Sequence, residues 1–472
     1  MRTQSWMFLS IGLSVLLLMT PIQSVQGQAA KGNDATIERS EEVQESKLAI
    51  APKRLEDDFA GEDTGGVMPE PAAEDSNHLA YQVFLPVIEE RGDGTGEVQA
   101  AASGAVLGLD VAGSRPDVAW NQFCNKFLVV YESDEGGGNY NIWGRYVTGD
   151  GLMLGAGPFR LTTDGAQQRA PAIAYNPMGH NYLVVWQDNR NNGDWEIYAQ
   201  LWNCEKMAVN AAVRVTADAA SQLYPDVSCG YTARVCWVVW EDQQNIHWDI
   251  YGQVLNFGGA LVGGNVRLTV DGATQRAPAI AYNPENTGCA SQGSFFVVWE
   301  DNRNANSGFD VYGQQLDNAS LCFGNQLIYT ATQDQGAPDI AYGTVNHLYQ
   351  VVWQDVRGGN LDISARVMTA NGFIGPPSVV LANAVNTQAR PAVAYAVNFN
   401  EFRTVWQDFR TGNWDIYGYR TTGNGAPVAG GMVVGNPSAE QSPAIAFSPT
   451  SAHSFVAWAK DTAGIQGRAI WP

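Results

Sequence analysis

The chain has 472 residues, of which 45% are apolar and only 16% are charged, so it has ample material for packed cores. Its formal net charge of −21 argues against nucleic acid and anionic membrane surfaces as partners, because their phosphates would be repelled. The 50 glycines, together with 15 Trp and 18 Tyr, suit strands joined by tight turns.

The N-terminus predicts export. Arg2 precedes an apolar run from Met7 to Met19, and Val25-Gln26-Gly27 fits a cleavage site. Residues 1–27 are therefore predicted to be a signal peptide and the protein to be secreted or held at the cell surface. A single membrane anchor is the alternative, but this run of about 13 residues is short for a bilayer span of about 20. We expect no membrane span after cleavage.

Residues 28–100 predict an acidic, disordered tether. This segment is rich in Glu, Asp, Ala, Gly and Pro and poor in aromatic residues, so it cannot bury enough apolar surface to offset the entropy of ordering. One apolar island, from Tyr81 to Ile88, interrupts it. The island is either a strand that docks on the folded domain or an adhesive stretch of linker.

A repeated unit organises residues 101–472. Its strongest element is Val-Trp-[Gln/Glu]-Asp, followed by Asp-Ile-Tyr or a close variant, and weaker copies contain Tyr131 and Trp458. The unit recurs at intervals of roughly 52 to 60 residues, which indicates a repeat architecture. Seven prolines mark its starts: Pro116, Pro171, Pro225, Pro278, Pro338, Pro391 and Pro443.

Each unit predicts four strands joined by hairpins, which is one blade of a β-propeller. The second strand is a near-continuous apolar run, as expected of a strand covered on both faces. The last unit has room for only three strands, and Gly104 to Val111 resembles a fourth strand. We therefore predict an all-β, seven-bladed propeller whose ring is closed by this N-terminal strand, because closure removes exposed edges. An open β-solenoid or two smaller sandwiches are the alternatives.

The Trp-x-Asp-x-Arg…Asp-Ile-Tyr pattern resembles the blades of secreted bacterial propellers of the TolB-like and WD-repeat-like kind. The pairs that carry this resemblance are Asp188 with Arg190, Asp301 with Arg303, Asp355 with Arg357, and Asp408 with Arg410. It implies the propeller fold and a range of roles: binding scaffolds, periplasmic assembly partners and a few polysaccharide-acting enzymes. The Ser-x-Asp-x-Gly-x-Thr-Trp box of sialidase blades does not occur in the sequence.

Six cysteines in an exported chain predict disulfides. Aligning the blades places them in turns on one propeller face or on facing strands. The predicted pairs are Cys229–Cys236, Cys289–Cys322 and Cys124–Cys204. The alternative is that some cysteines remain free and buried.

The opposite face collects Asp and Arg residues. The recurring acids Asp188, Asp242, Asp301, Asp355 and Asp408 are predicted to hold the turns in shape. Arg190, Arg303, Arg357 and Arg410 either pair with these acids or bind anionic or hydroxyl-rich ligands, since Arg binds carboxylates in bidentate fashion. The turns between blades add Arg115, Arg169, Arg276 and Arg390 to the same face.

Departures from the repeat indicate where an asymmetric site could lie. Glu132 belongs to an acidic turn in the first unit, and Lys460 replaces the turn Asp in the last. His247 and Trp248 lie in the strong unit that lacks the turn Arg. These departures, rather than the repeated residues, are the first places to look for ligand contacts.

No metal site is predicted. The histidines are too dispersed for zinc, and the turn from Asp188 to Asp194 offers oxygen ligands suited to Ca²⁺ but carries Arg190 in its middle. No cofactor is therefore expected, with calcium as the alternative.

The sequence favours a monomeric, non-catalytic binding scaffold that uses one propeller face for a protein, peptide or glycan ligand. The alternative is a polysaccharide-acting hydrolase or lyase with its site at the mouth of the central channel, where paired carboxylates could act. The two hypotheses differ in where unrepeated acids or histidines should concentrate. Whether the chain is an enzyme stays open at this point, with the balance against it.

Overall fold

The computed structural model describes residues 105–110, 113–155, 157–191, 193–285, 287, 292–304, 308–357, 359–435, 437–461 and 464–470, with the backbone alone at residue 357. The predicted signal peptide at 1–27 and tether at 28–100 lie outside these residues. Within the described ranges, no helix is both long and apolar enough to span a membrane.

The described residues form seven antiparallel sheets of four strands each, which are the blades of a propeller. Blade 1 contains β2 (Gly113–Asn121), β3 (Lys126–Asp134), β4 (Tyr140–Thr148) and β5 (Phe159–Arg160). Blade 2 contains β6 (Gln168–Asn176), β7 (Asn181–Asn191), β8 (Asp194–Trp202) and β9 (Val213–Arg214). Blade 3 contains β10 (Gln222–Gly230), β11 (Val235–Asp242), β12 (Asp249–Asn256) and β13 (Leu261–Arg267).

The remaining blades repeat this order. Blade 4 contains β14 (Gln275–Asn283), β15 (Ser294–Asp301), β16 (Asp310–Leu316) and β17 (Leu321–Tyr329). Blade 5 contains β18 (Gln335–Gly343), β19 (Leu348–Arg357), β20 (Asn360–Thr369) and β21 (Val379–Ala382). Blade 6 contains β22 (Gln388–Ala396), β23 (Glu401–Asp408), β24 (Asp415–Thr422) and β25 (Pro427–Val434), with a 3-10 turn at Val397–Phe399. Blade 7 contains β26 (Glu440–Ser448), β27 (His453–Lys460), β28 (Gly464–Ile470) and β1 (Leu107–Gly108).

The ring closes in blade 7, as the sequence predicts. Leu107 of β1 pairs with Gly467 of β28, and the N–H of Leu109 donates to the Ile465 carbonyl at 2.8 Å. The strand lies within the predicted segment 104–111 but is only two residues long. Leu107 and Leu109 are buried between blades 7 and 1, so they anchor the closure by apolar contact as well as by hydrogen bonds.

The core consists of layers between adjacent blades. Along the second strand of a blade, successive side chains point to opposite faces. Tyr182 and Val184 therefore pack against blade 1, whereas Leu183 and Val185 pack against blade 3. This explains why the strand reads as a continuous apolar run. The repeated Trp belongs to these layers, and Trp186 is 1% exposed between blades 1 and 2.

The first strands of the blades adjoin one another around the central channel. Each carries the repeated Pro, which an edge strand tolerates because its N–H side needs no ladder partner. The residue before each Pro adopts a left-handed conformation with φ between 45° and 52°, and the strand is bulged there. The seven bulge residues are Arg115, Ala170, Tyr224, Ala277, Ala337, Arg390 and Ser442.

Two disulfides join cysteines of the described residues, and both are the pairs expected from the sequence. Cys229 and Cys236 are directly opposite on β10 and β11. Cys124 and Cys204 link blades 1 and 2. Cys322 is also disulfide-bonded, and its predicted partner, Cys289, lies outside the described residues. Cys322 lies in β17 rather than in the turn before it. We call the propeller face that carries Cys124 and Cys204, in the turns after β2 and β8, the disulfide face.

Candidate functional site

The opposite face carries the turns between second and third strands and the connections between blades, and we call it the clasp face. The two kinds of segment are bonded to each other: the Gln167 N–H donates to Asn189 Oδ1 at 2.8 Å, and the Asn189 N–H donates to the Gln167 carbonyl at 3.1 Å. The first strands begin at this face, so their bulges surround one mouth of the channel.

The predicted turn acids are buried on the clasp face. In blade 4, Asp301 accepts hydrogen bonds from the Trp299 indole at 2.9 Å and from the backbone N–H and Nε of Arg303 at 2.9 and 3.0 Å. The Arg303 guanidinium also lies 4.3 Å from the centre of the Tyr312 ring. We call this arrangement a turn clasp. Equivalent contacts join Trp186, Asp188 and Arg190 in blade 2, and Trp406, Asp408 and Arg410 in blade 6.

Two turn acids have other partners. Asp242 accepts from the Trp240 indole at 3.0 Å and from the Gln244 backbone N–H at 2.8 Å, so blade 3 keeps the turn without an Arg. Asp355 accepts from Ser364 Oγ at 3.4 Å, and the side chain of Arg357 lies outside the described residues. The structure thus engages Arg190, Arg303 and Arg410 in structural contacts, and their role toward a ligand stays a prediction.

A second repeated contact fastens each blade to the next. The residue after the repeated Trp carries a Glu or Gln side chain, whose oxygen accepts a hydrogen bond from the bulge N–H of the following blade. We call this a joint clasp. The pairs, from the first joint to the sixth, are Glu132–Ala170 at 2.8 Å, Gln187–Tyr224 at 3.0 Å, Glu241–Ala277 at 2.7 Å, Glu300–Ala337 at 3.3 Å, Gln354–Arg390 at 3.1 Å and Gln407–Ser442 at 2.9 Å.

The joint between blades 7 and 1, here called the closure joint, departs from this rule. Ala459 occupies the position of the Glu or Gln, so it has no side-chain acceptor for the N–H of Arg115. Gly113 occupies the position where the other first strands carry a buried Gln or Glu. A Cβ at Gly113 would lie 2.5 Å from Ile465 and 2.6 Å from Tyr131, so the close packing of the closure explains the glycine.

These two small residues, Ala459 and Gly113, border a pocket of about 440 Å³ on the clasp face, here called the closure-joint pocket. Four cationic side chains and two acidic ones line it: Arg115, Arg169, Arg390, Lys460, Glu132 and Asp461. They come from blades 1, 2, 6 and 7. The structure thus brings together Glu132 and Lys460, which the sequence predicts as departures from the repeat, because the last blade adjoins the first. For Glu132 that prediction is wrong: it lies within β3 rather than in a turn, and it makes the regular joint clasp. Lys460 does depart from the repeat, since it replaces the turn Asp.

Glu132 is buried, 1% exposed, and fully engaged. Its carboxylate accepts from the Ala170 N–H at 2.8 Å, from Arg169 Nη2 at 3.1 Å and from Ser114 Oγ at 3.1 Å. Arg115 Nε lies 3.6 Å away. This carboxylate therefore offsets one of the two guanidinium charges and holds Arg169 in place.

Arg390 has no such acid among the contacts described for it. Its Nη1 donates to Ser442 Oγ at 2.8 Å. Burial lowers the pKa of Arg390, and the nearby Arg115 guanidinium lowers it further by repulsion. Lys460, half-buried, lies in the same pocket. The pocket is accordingly a site of excess positive charge on a strongly acidic chain, suited to an anionic group.

The channel wall below the pocket carries three carboxyl groups that the sequence did not single out: Asp117, Asp226 and Asp339. Each bridges its own blade and the next, and Asp339 accepts from the N–H of Ile340 at 2.8 Å and of Val393 at 2.7 Å. Burial raises the pKa of Asp117 to about 6 and that of Asp339 to about 7, and it raises the pKa of Asp226 as well. Although partly exposed to the channel, they are surrounded by protein atoms.

His247 and Trp248 are not brought to this pocket. They lie in the turn between β11 and β12 of blade 3, with His247 exposed and Trp248 half-buried. The described residues contain no group of three or more His, Cys, Asp or Glu placed to hold a metal ion. Calcium binding by the turn at Asp188–Asp194 stays untested, because residue 192 lies outside the described set.

The sequence contains one indication of the pocket. Comparing the position after the repeated Trp across the units gives Glu or Gln six times and Ala459 once. The arginines before the repeated Pro were recognised on the clasp face. The sequence does not predict that these arginines lie near Ala459, because this proximity depends on which blades are neighbours in the ring.

No family model matches the chain, and no curated protein matches it, so kinship with the TolB-like or WD-repeat-like propellers stays a prediction. Among solved structures it is similar to the Dos1 propeller, with 12% identity, a TM-score of 0.45 and coverage of 77% of this chain and 94% of that one. It is also similar to the β-propeller domain of the Trilobed protease from Pyrococcus furiosus, with 7% identity, a TM-score of 0.44 and coverage of 76% and 98%. A third similarity is to the Hadza microbial sialidase Hz136, with 9% identity, a TM-score of 0.42 and coverage of 76% of this chain and 66% of that one. These similarities concern the propeller fold alone.

Proposed function

We propose that the chain is a non-catalytic binding scaffold, secreted or held at the cell surface, that receives a protein, peptide or glycan ligand on its clasp face. The observation that carries the proposal is the closure-joint pocket. Gly113, Ala459 and Lys460, which depart from the repeat, meet three arginines there in one open cavity, and the excess charge of the cavity is cationic. Cationic side chains at a cavity mouth favour binding of an anionic group.

The state of the acids in the pocket supports binding over catalysis. General acid or base work needs a carboxyl with hydrogen-bond reach to substrate. The Glu132 carboxylate is buried and already accepts from three donors. Asp461 is exposed, and Glu132 is the other acid among the described residues that line the pocket, so a pair of accessible carboxyl groups is missing there.

Export and the lack of a cofactor belong to the same proposal. Disulfides that link strands and blades suit an oxidising compartment. The turns between second and third strands on the clasp face would supply further contacts to a large ligand. Their residues are Arg190, Arg303, Arg357, Arg410, His247 and Trp248. We propose a monomer with no metal or organic cofactor, which light scattering and metal analysis of the purified protein would test.

One observation favours an enzyme as the second candidate. The channel acids Asp117 and Asp339 have pKa values raised to about 6 and about 7, the range of a carboxyl that can donate a proton near neutral pH. A polysaccharide hydrolase or lyase with its site at the channel mouth could use them. Against this role, each already accepts two backbone hydrogen bonds.

A paired screen separates the two candidates. The full chain without its signal peptide would be tested on a glycan and peptide array, and the same polymers would be assayed for new reducing ends and for unsaturated products. A scaffold gives saturable binding without product. Turnover of any polymer that disappears in Asp339→Asn would establish the enzymatic alternative instead.

A further inference from the structure

We propose that the closure-joint pocket binds a carboxylate group of an acidic glycan, which takes the place of the missing joint clasp between blades 7 and 1. This inference rests on the proposed function and names the ligand chemistry of the same site. The residues that carry it are Ala459, Arg115, Arg390 and Lys460.

The other six joints show which group is missing at the closure joint. Six bulge N–H groups donate to a side-chain oxygen of the preceding blade, and at three joints that oxygen belongs to a carboxylate, from Glu132, Glu241 or Glu300. The bulge residue of blade 1, Arg115, has the same left-handed backbone, with φ of 48°. At position 459, however, the side chain ends at Cβ. A ligand carboxylate can therefore accept from the Arg115 N–H where a Glu would otherwise do so.

The charges that line the pocket favour an anion. Glu132 already satisfies Arg169 and partly satisfies Arg115. Arg390 and Lys460 remain as cations of the pocket, and the repulsion between Arg390 and Arg115 is relieved when an anion lies between them. A carboxylate presents two oxygens in a plane, which matches the donor geometry of a guanidinium.

The lining of the pocket favours a glycan over a peptide. Among the described residues that line the pocket, no side chain is a large apolar one, so a peptide would find no site for an apolar anchor. Ser114, Gln441 and Ser442 instead offer hydroxyl and amide groups to sugar hydroxyls. Tyr224, 41% exposed and 5.2 Å from the Arg115 guanidinium by its ring centre, provides an aromatic surface beside the pocket.

The test uses a galacturonic acid trimer, its methyl ester and a neutral galactose trimer, with isothermal titration calorimetry and thermal unfolding of the full chain without its signal peptide. The free acid should bind and raise the unfolding temperature, and the ester and the neutral trimer should bind at least roughly tenfold more weakly, since each lost charge-assisted contact is of that size. Equal affinity of acid and ester would overturn the inference. A peptide with a free C-terminus that binds more tightly than the uronate would assign the pocket to a peptide.

Ala459→Glu is the decisive variant. It supplies the seventh joint clasp from the chain, as Glu does at three other joints, so the unfolding temperature should rise without ligand and uronate affinity should fall at least roughly tenfold. Glu300→Gln is its matched control, because it exchanges a carboxylate for an amide at a joint that does not border the pocket, and it should leave uronate binding unchanged. Should Ala459→Glu fail to fold, Arg390→Met and Lys460→Met replace it, each with an expected loss of roughly tenfold.

Failure of this inference can be told apart from failure of the proposed function. If the array finds uncharged ligands whose binding Arg390→Met does not change, the scaffold role stands and the carboxylate site is wrong. If uronate binds in the pocket but is also cleaved, the carboxylate site stands and the non-catalytic role is wrong. If the galacturonic acid trimer does not bind, the carboxylate site is overturned.

Discussion

The Gln187 side chain accepts a hydrogen bond from the backbone N–H of Tyr224, with Oε1 and N 3.0 Å apart. Gln187 belongs to the second strand of blade 2, and Tyr224 is the bulge residue of blade 3. The contact therefore attaches the start of the first strand of blade 3 to the second strand of blade 2. Because the bulge removes this N–H from the regular ladder, the side chain provides its acceptor.

Gln187→Ala should destabilise the propeller by about 1 to 3 kcal/mol, because the Tyr224 N–H then loses its acceptor at a partly buried joint. Gln187→Glu should be much milder, since Glu fills the same position at other joints. Urea unfolding followed by Trp fluorescence measures both. Equal losses for the two variants would show that the hydrogen bond is not what stabilises the joint.

Much of the fold could be predicted from the sequence because the residues that repeat are the buried ones. Tyr182 to Trp186 alternates between two interblade layers, and this produces the continuous apolar run that identified the middle strand. The prolines marked the inner strands because Pro is confined to edges or bulges of sheets. The left-handed residue before each Pro was not predicted, since Arg115, Tyr224 and Ser442 share no side-chain property that indicates it.

The candidate site could be predicted less well from the sequence, because its residues come together only in the closed ring. Glu132 and Lys460 are far apart in the chain and meet only when the ring closes. The sequence predicts both as departures from the repeat, but only Lys460 is one, since Glu132 makes the regular joint clasp. The channel acids were missed because Asp117, Asp226 and Asp339 alternate with Ala at the same position of other blades. Their role depends on the N–H of the adjacent blade, which no local sequence pattern reports.

The turn clasp should depend more on its acid than on its arginine. Asp301→Ala leaves the Trp299 indole, the Arg303 N–H and the Arg303 guanidinium without their acceptor at a fully buried position, so we expect a loss of about 3 kcal/mol. Arg303→Gln should lose only about 1 kcal/mol, because blade 3 keeps the same turn with Gln244. Chemical unfolding of both variants provides the comparison, and a larger loss for Arg303→Gln would contradict it.

The two described disulfides should differ in their contribution to stability. Cys124–Cys204 spans 80 residues and links two blades, whereas Cys229–Cys236 spans 7 residues within one hairpin. In the chain-entropy model these loops correspond to about 4.5 and about 2.4 kcal/mol. Replacing each pair by two alanines and measuring unfolding in denaturant tests the order. A greater loss for the hairpin pair would indicate that local strand pairing outweighs loop entropy.

The channel acids should make stability depend on pH. Burial raises the pKa of Asp339 from 3.8 to about 7, and its two backbone hydrogen bonds oppose this only in part. The folded state therefore binds a proton more tightly than the unfolded state. The contribution of Asp339 to the free energy of unfolding is fully present below a pH of about 4 and is lost as the pH rises through about 7. Asp117 and Asp226 face the same channel, and repulsion from Asp117 adds to the shift.

Asp339→Asn should remove part of this dependence. The Asn amide keeps one acceptor for the two backbone N–H groups, so the variant should be about 1 kcal/mol less stable than the parent below about pH 4, where the parent carboxyl is protonated in both the folded and the unfolded state. The difference should reverse by pH 8, where the folded parent carries a poorly solvated charge, at about 1.4 kcal/mol for each unit of pKa shift. Urea unfolding at pH values of about 4, 5, 6, 7 and 8 measures this difference. Glu205→Gln, at an exposed side chain on the disulfide face, is the control, because it removes one charge without changing the channel. A difference between Asp339→Asn and the parent that stays constant from pH 5 to 8 would show that the channel carboxyl does not titrate there.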